Sequence, residues 1–273
     1  MNTDQNKLIS LLDLLDDDTE EVINEVRNAF EAYGLMLEKD LGDLNISINN
    51  PKIKPIEDII KKNRRTWLKL QWSKVLEIDD EYLLLERALE LLIKYDYGIT
   101  YNPNLDERIK ELSLKYIKEN VDGNVLDLAN FLFIGEGYEG SKDDYYNPLN
   151  SNIDYVLTFK KGLPITLTIL FMLTAKKMGY HVEGCRFPGH FLAKAFINDS
   201  FILIDCFNRG KIISEKELKV MADESYESFL TIVKEKTTIK MILVRILSNL
   251  YKAYELKGDL INKQFFEELA ISI

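Results

Sequence analysis

The chain has 273 residues, room for one large domain or two small ones, and its 46% hydrophobic and 29% charged residues exclude a disordered or membrane-embedded protein. A net charge of −10 speaks against nucleic-acid binding, because phosphate affinity comes from clustered Lys and Arg. Met1–Ser10 is too polar for a secretory signal, and the most apolar run, Leu163–Ala175, is shorter than the ~20 residues of a membrane span. A cytoplasmic protein is expected, with Cys185 and Cys206 as reduced thiols.

The acidity is concentrated at the start. Residues 1–60 hold fourteen acids against five bases, a balance of −9, which reads as a solvated helical face. Leu8, Leu11, Leu12 and Leu15 follow helical spacing. Asp18, with Glu21 three residues on, predicts the start of a second helix, striped by Val22, Val26, Ala29, Phe30 and Tyr33 and stopped at Gly34. This pair resembles a single HEAT repeat, which cannot bury a face alone. A helix over 55–75 follows, with Ile56, Ile59, Ile60, Trp67, Leu70 and Val75 as its expected core face. Its Lys61-Lys62-Asn63-Arg64-Arg65 run reads as solvated, over tryptophans 67 and 72 packed inward. Helices over 79–95 and 104–120 come next, the latter capped by Asn104 with Glu107, and Asn124 caps another through Phe133.

Residues 135–152 are rich in Gly, Asp and Asn and predict a long loop holding Tyr138, Tyr145 and Tyr146. A buried helix over 163–175 is followed by period-two stretches at 181–187, 191–197 and 201–206, three expected strands. Ser214 with Glu217 predicts another helix start, and 226–233 and 237–269 read as helical, with Gly258 splitting the last into a pair. The layout is α+β, divided as a helical region 1–122, a core 123–235 and a helical pair 236–273.

The strands either side of Asn198-Asp199 pair in one register for a two- or four-residue loop. Asp205 then lies opposite Leu192, and His190 becomes its diagonal neighbour, ~7–8 Å away between backbones and within side-chain reach. A three-residue loop would put them on opposite faces. A carboxylate beside an imidazole orients it and stabilises its cation, as a base serving a nucleophile requires. The competing reading is a buried His–Asp pair with a packing role.

The order Gly162-Leu163-Pro164, a helix, a strand, Pro188-Gly189-His190-Phe191-Leu192 and Ile204-Asp205 resembles the transglutaminase-like superfamily, in which a nucleophilic Cys starts a buried helix and His and Asp follow on successive strands. Asp144-Tyr145-Tyr146-Asn147-Pro148, Lys161 to Leu167 and Glu183-Gly184 extend the likeness to its bacterial SirB-type branch. So do the acidic helix pair and a closing, tetratricopeptide-like pair. The resemblance implies a transglutaminase/papain-like core of a buried helix on a small antiparallel sheet. It also implies His190 and Asp205 as the catalytic His and Asp, with Tyr145, Tyr146, Asn147, Gly162, Phe187 and Gly189 lining the cleft.

The nucleophile position then falls on Pro164, which has no nucleophilic side chain and suits the first position of a helix. Thr166, one step into the first turn, and Cys185, facing the side of His190, are the possible substitutes. The Cys and His spacing is no zinc pattern, and no phosphate or dinucleotide loop is present, so neither metal nor cofactor is expected. The leading expectation is a degenerate site in a protein- or peptide-binding regulatory module, with no nucleic-acid or membrane partner. The alternative is an amide-bond hydrolase or acyl transferase using His190 and Asp205 with Thr166, Cys185 or an activated water.

Overall fold

The computed structural model describes residues 3–17, 19–46, 50–187, 189–197, 200–213, 217, 220 and 231–273. The chain forms two compact units, Met1–Lys74 with Leu91–Asn102 and Val75–Glu90 with Pro103–Ile273. Among the described residues no helix is long and apolar enough to cross a membrane.

The first unit holds α1 (Thr3–Asp13), α2 (Glu20–Tyr33), α3 (Leu37–Asp43) and α4 (Glu57–Val75). The expected stripes form its core: Leu8, Leu12 and Leu15 pack with Val26 and Phe30, while Leu11, Val22 and Tyr33 lie at its margin. Asp18, the expected cap, lies outside the described residues, and Thr19 occupies the position before α2. Gly34 ends α2 with φ 52°, a left-handed conformation that disfavours a side chain.

The buried stripe of α4 differs from the expected one. It includes Ile59, Ile60, Arg64, Leu68 and Trp72, whereas Trp67 and Val75 are half-buried and Leu70 is exposed. Arg64, expected in solvent, is thus an interior residue. Steps of four from Ile56 through Ile60 put it on the inner face, and its planar fork finds partners there. Nε and Nη2 donate to the Glu38 carboxylate at 2.9 and 2.7 Å, and Nη1 donates to the carbonyls of Tyr95 and Asp96 at 3.1 and 3.0 Å. Glu38 also accepts the N–H of Ile99 at 3.1 Å. Lys61 and Lys62 are exposed as expected.

Helix α5 (Glu81–Tyr97) contributes residues 81–90 to the second unit and 91–97 to the first. The second unit continues with α6 (Leu105–Glu119) and α7 (Val125–Asn130). Asn104 does not cap α6: its backbone is left-handed, φ 47°, and its side chain makes no cap bond. Asn124 does cap α7, in a reciprocal box with Asp127, but the helix loosens into a π turn over Phe131–Gly135. The expected loop contains a two-residue strand, β1 (Glu139–Gly140), and a 3-10 turn over Pro148–Ser151. Helix α8 (Ile153–Phe159) and β2 (Lys161–Gly162), parallel to β1, lead into α9 (Pro164–Lys177).

The residues of α9 are buried without a break from Pro164 to Ala175. It packs against an antiparallel sheet in the order β3 (Val182–Cys185), β4 (Leu192–Ile197), β5 (Ser200–Asp205) and β6 (Lys211–Ile213). The fourth strand was not expected; it returns from a turn in which Arg209 and Gly210 have positive φ. Ser214 and most of the 226–233 helix lie outside the described residues, and 231–234 are helical. The chain ends in α10 (Ile239–Leu256) and α11 (Leu260–Ile271), separated at Gly258 as expected. The architecture is α+β, a buried helix on a small antiparallel sheet with helices around it.

Removing Arg64 leaves the Glu38 carboxylate buried and uncompensated. Arg64→Ala is therefore expected to lower the unfolding free energy by about 3–5 kcal/mol in urea titrations. Lys61→Ala, which loses only an exposed pair with Glu57, should cost no more than about 0.5 kcal/mol. Equal losses for the two variants would contradict an interior Arg64.

Candidate functional site

The site is assembled from four pieces of the second unit. The first is the start of α9. Leu163 precedes the helix, Pro164 is its first residue, and the N–H of Leu167 returns to the Leu163 carbonyl at 3.0 Å. Proline suits this place because its missing N–H would have had no partner within the helix. Two bonds tie the helix start to the preceding turn: the N–H of Leu163 and the hydroxyl of Thr166 both donate to the Asn150 carbonyl, at 3.4 and 2.8 Å.

The second piece is the β4–β5 hairpin. Asn198 and Asp199 lie outside the described residues, but Ile197 pairs with Ser200, Phe196 with Phe201 and Ala193 with Ile204. This is the even-loop register, and it carries Asp205 alongside the turn before β4. His190 closes that turn by donating its N–H to the Phe187 carbonyl at 2.9 Å, with Gly189 at φ 72°. The His190 Nε2 and Asp205 Oδ2 are 2.9 Å apart, with side chains 18% and 6% exposed. Nδ1 is then the ring nitrogen left for any further bond.

The third piece is the turn after β5. Asn208 donates its side-chain amide to Asp205 Oδ2 at 2.7 Å and its backbone N–H to Oδ1 at 3.1 Å. Phe207 stands edge-on to the His190 ring, with centroids 6.2 Å apart. Burial pushes the Asp205 carboxyl up. Hydrogen bonds from His190 and Asn208, and the charge of His190, outweigh that and hold it below its ordinary value. The fourth piece is α10, which brings Arg245 and Asn249 beside His190, Pro164 and Tyr145 around a pocket with about 10 Å³ open to a water molecule.

The remaining predicted residues separate into two groups. Tyr145 and Gly189 line the His190 pocket, and Tyr145, Tyr146 and Asn147 line a second one of about 40 Å³. Asn147 also caps the 3-10 turn by accepting the N–H of Leu149. The other group is interior. Phe187 and Cys185 pack with Leu192 and Leu203 in a hydrophobic cluster, and burial raises the Cys185 thiol to about 11. Gly162 is buried in β2, where a Cβ would press on Val156. Thr166 is fully buried and its hydroxyl is spent on Asn150. Among the described residues no group of three or more His, Cys, Asp or Glu side chains could hold a metal ion.

Sequence reasoning missed Phe207, Asn208, Arg245 and Asn249. A signal existed for the last two. Arg245 and Asn249 are four apart in the final helical stretch, and polar residues at that spacing share one face.

A buried helix start, then a His just before one strand and an Asp at the end of the next, held at hydrogen-bond distance, is the frame of a transglutaminase-like core. The transglutaminase-like superfamily indeed matches residues 100–248, and the chain belongs to it. A UPF0162 protein of Xylella fastidiosa strain 9a5c is 30% identical over 199 residues, 67% of this chain and 69% of that protein. A second, from strain Temecula1, is 29% identical over 195 residues, again 67% and 69% of the two chains. F-box only protein 21 of Mus musculus is 31% identical over 184 residues, which are 64% of this chain and 29% of that protein. No solved structure matches the chain.

A carboxyl held below its unfolded value stabilises the fold above that value, about 3.9, and the gain is lost as pH falls through the folded one. The stability difference between wild type and Asp205→Asn is therefore expected to narrow as pH falls below about 4. Urea unfolding from pH 6 to 2 measures it. A difference that stays constant or widens towards acid would show that Asp205 carries no stabilised charge.

Proposed function

We propose that this chain is a transglutaminase-like protein of the SirB type whose site is degenerate, acting as a protein- or peptide-binding regulatory module in a bacterial cytoplasm. The observation that carries the reading is Pro164 at the first position of α9. There the superfamily's thiolate would be favoured by the helix dipole, and proline supplies neither nucleophile nor N–H. Both substitutes are poorly suited. The Thr166 hydroxyl is buried and bonded to Asn150, and the Cys185 thiol is held neutral in an apolar cluster. What remains is the His190–Asp205 pair, without a partner atom to activate. In this reading α1 and α2 form a HEAT-like start whose helical surface, with the old cleft, holds the partner, and α10 and α11 form a tetratricopeptide-like pair. Residues 1–122, 123–235 and 236–273 are the corresponding functional divisions.

The rival reading is an amide-bond hydrolase or acyl transferase, favoured by the intact His190–Asp205 geometry. Assays of amine incorporation and peptide hydrolysis separate the two. Wild type, His190→Ala and Asp205→Ala are all expected to be inactive and indistinguishable. Activity in the wild type that disappears in both folded variants would overturn the binding reading. In Pro164→Cys, the new thiol is expected to react with iodoacetamide faster than a free cysteine at neutral pH, its pKa lowered by the helix start and His190. A thiol of ordinary reactivity would contradict the assignment of Pro164 to the nucleophile position.

A further inference from the structure

The His190 pocket does not stand alone. Tyr145 and Asn249 line both it and the second pocket, whose wall includes Ser151, Leu163 and Lys252. Together the two form a short groove between the start of α9 and the polar face of α10. Three of its groups are unspent. Ser151 is 2% exposed, and its Oγ has no hydrogen-bond partner. A buried hydroxyl left in that state is costly. Trp72 Nε1 is also unpartnered among the described residues, but Trp72 does not line the groove. Arg245 is exposed and makes no ion pair among the described residues, whereas the Lys252 ammonium is taken by Glu255 at 2.5 Å. Asn249 presents an amide, which offers both a donor and an acceptor.

This set matches one ligand chemistry. A guanidinium fork is made for a planar carboxylate. An amide and a hydroxyl beside it suit the adjoining peptide unit. The pockets, at about 10 and 40 Å³, admit water-sized groups such as carboxylate and carbonyl oxygens and exclude a bulky side chain. One arginine without an ion pair among the described residues, on a chain of net charge −10, favours a monoanion over a phosphate. We infer that the groove binds a peptide carboxylate, paired with Arg245 beside His190, with the neighbouring backbone held by Asn249 and Ser151. The inference rests on the binding reading above and names what is bound.

The test is an NMR titration with three probes: N-acetyl-tetraalanine with a free C-terminus, its C-terminal amide, and the amide of N-acetyl-Ala-Asp-Ala-Ala. The free acid or the aspartyl peptide is expected to shift the Asn249 side-chain amide, and to bind about tenfold more tightly than the neutral amide. Whichever anion does so identifies a chain end or an acidic side chain as the source. Arg245→Gln should abolish that preference. Ser151→Ala should leave thermal unfolding undiminished or raise it, since no protein bond is lost and an unpartnered hydroxyl is removed, yet weaken the anionic peptide about threefold. Absence of binding, equal binding of acid and neutral amide, or an unchanged preference in Arg245→Gln would overturn the inference. So would identical shifts with sodium phosphate at equal concentration. Equal binding would spare the binding reading. Cleavage of a probe during the titration would overturn that reading and leave the carboxylate site standing.

Discussion

The burial of α9 governs the second unit. From Pro164 to Ala175 every residue is buried, so this helix has no face on which it can rest exposed. A helix apolar on every side must be enclosed. The sheet strands β3 and β4 and the helices α6, α7, α8 and α10 all pack against it. Two of its threonines return their hydroxyls to backbone carbonyls, Thr166 to Asn150 and Thr174 to Leu170, which removes the cost of burying them. Because Thr166 and Leu163 both bond the Asn150 carbonyl, the helix start and the turn before it move as one piece. Asn150 in turn holds the carbonyls of Asp144 and Tyr145. Tyr145 is thereby fixed over the site by the same chain of bonds that anchors the helix.

The His190–Asp205 pair is set against this frame by the hairpin and then locked by local bonds. Each Asp205 oxygen accepts from Asn208, and Oδ2 also meets His190. A carboxylate so thoroughly donated to is charged and immobile, able to orient an imidazole for chemistry or to pin it for packing. The pair by itself does not distinguish these. The helix starts on a proline, the Thr166 hydroxyl donates to the Asn150 carbonyl, and Cys185 lies in an apolar cluster. Of the groups without a partner among the described residues, Arg245 and Asn249 lie along α10 and Ser151 in the turn before α8.

Legibility in the sequence followed how local the deciding interaction was. The register of β4 and β5 needs only loop parity and alternation, so the approach of His190 to Asp205 could be read before any fold was known. The end of α2 at Gly34 and the Asn124 cap are contacts within one turn, and they too were readable. Arg64 was misread because residue type was used where position decides. Its place on the inner stripe of α4 outweighs its charge once Glu38 and two carbonyls are there to meet it. Trp67 and Leu70 were misread for the same reason in reverse. Asn104 had the residue type of a cap, but its left-handed backbone takes the side chain away from the helix N–H groups.

By itself, then, the sequence determined the α+β layout, the buried helix and the His–Asp proximity. All of these depend on residue identity, periodicity or a short-range register. Only the tertiary structure decided which predicted site residues face a pocket and which, like Phe187 and Cys185, belong to the core. It alone brought Arg245 and Asn249, more than fifty residues beyond His190, to the site. The reason is physical. A helix pair carries its polar positions wherever its apolar face docks, and that docking is chosen by the shape of the whole core, which no local pattern encodes.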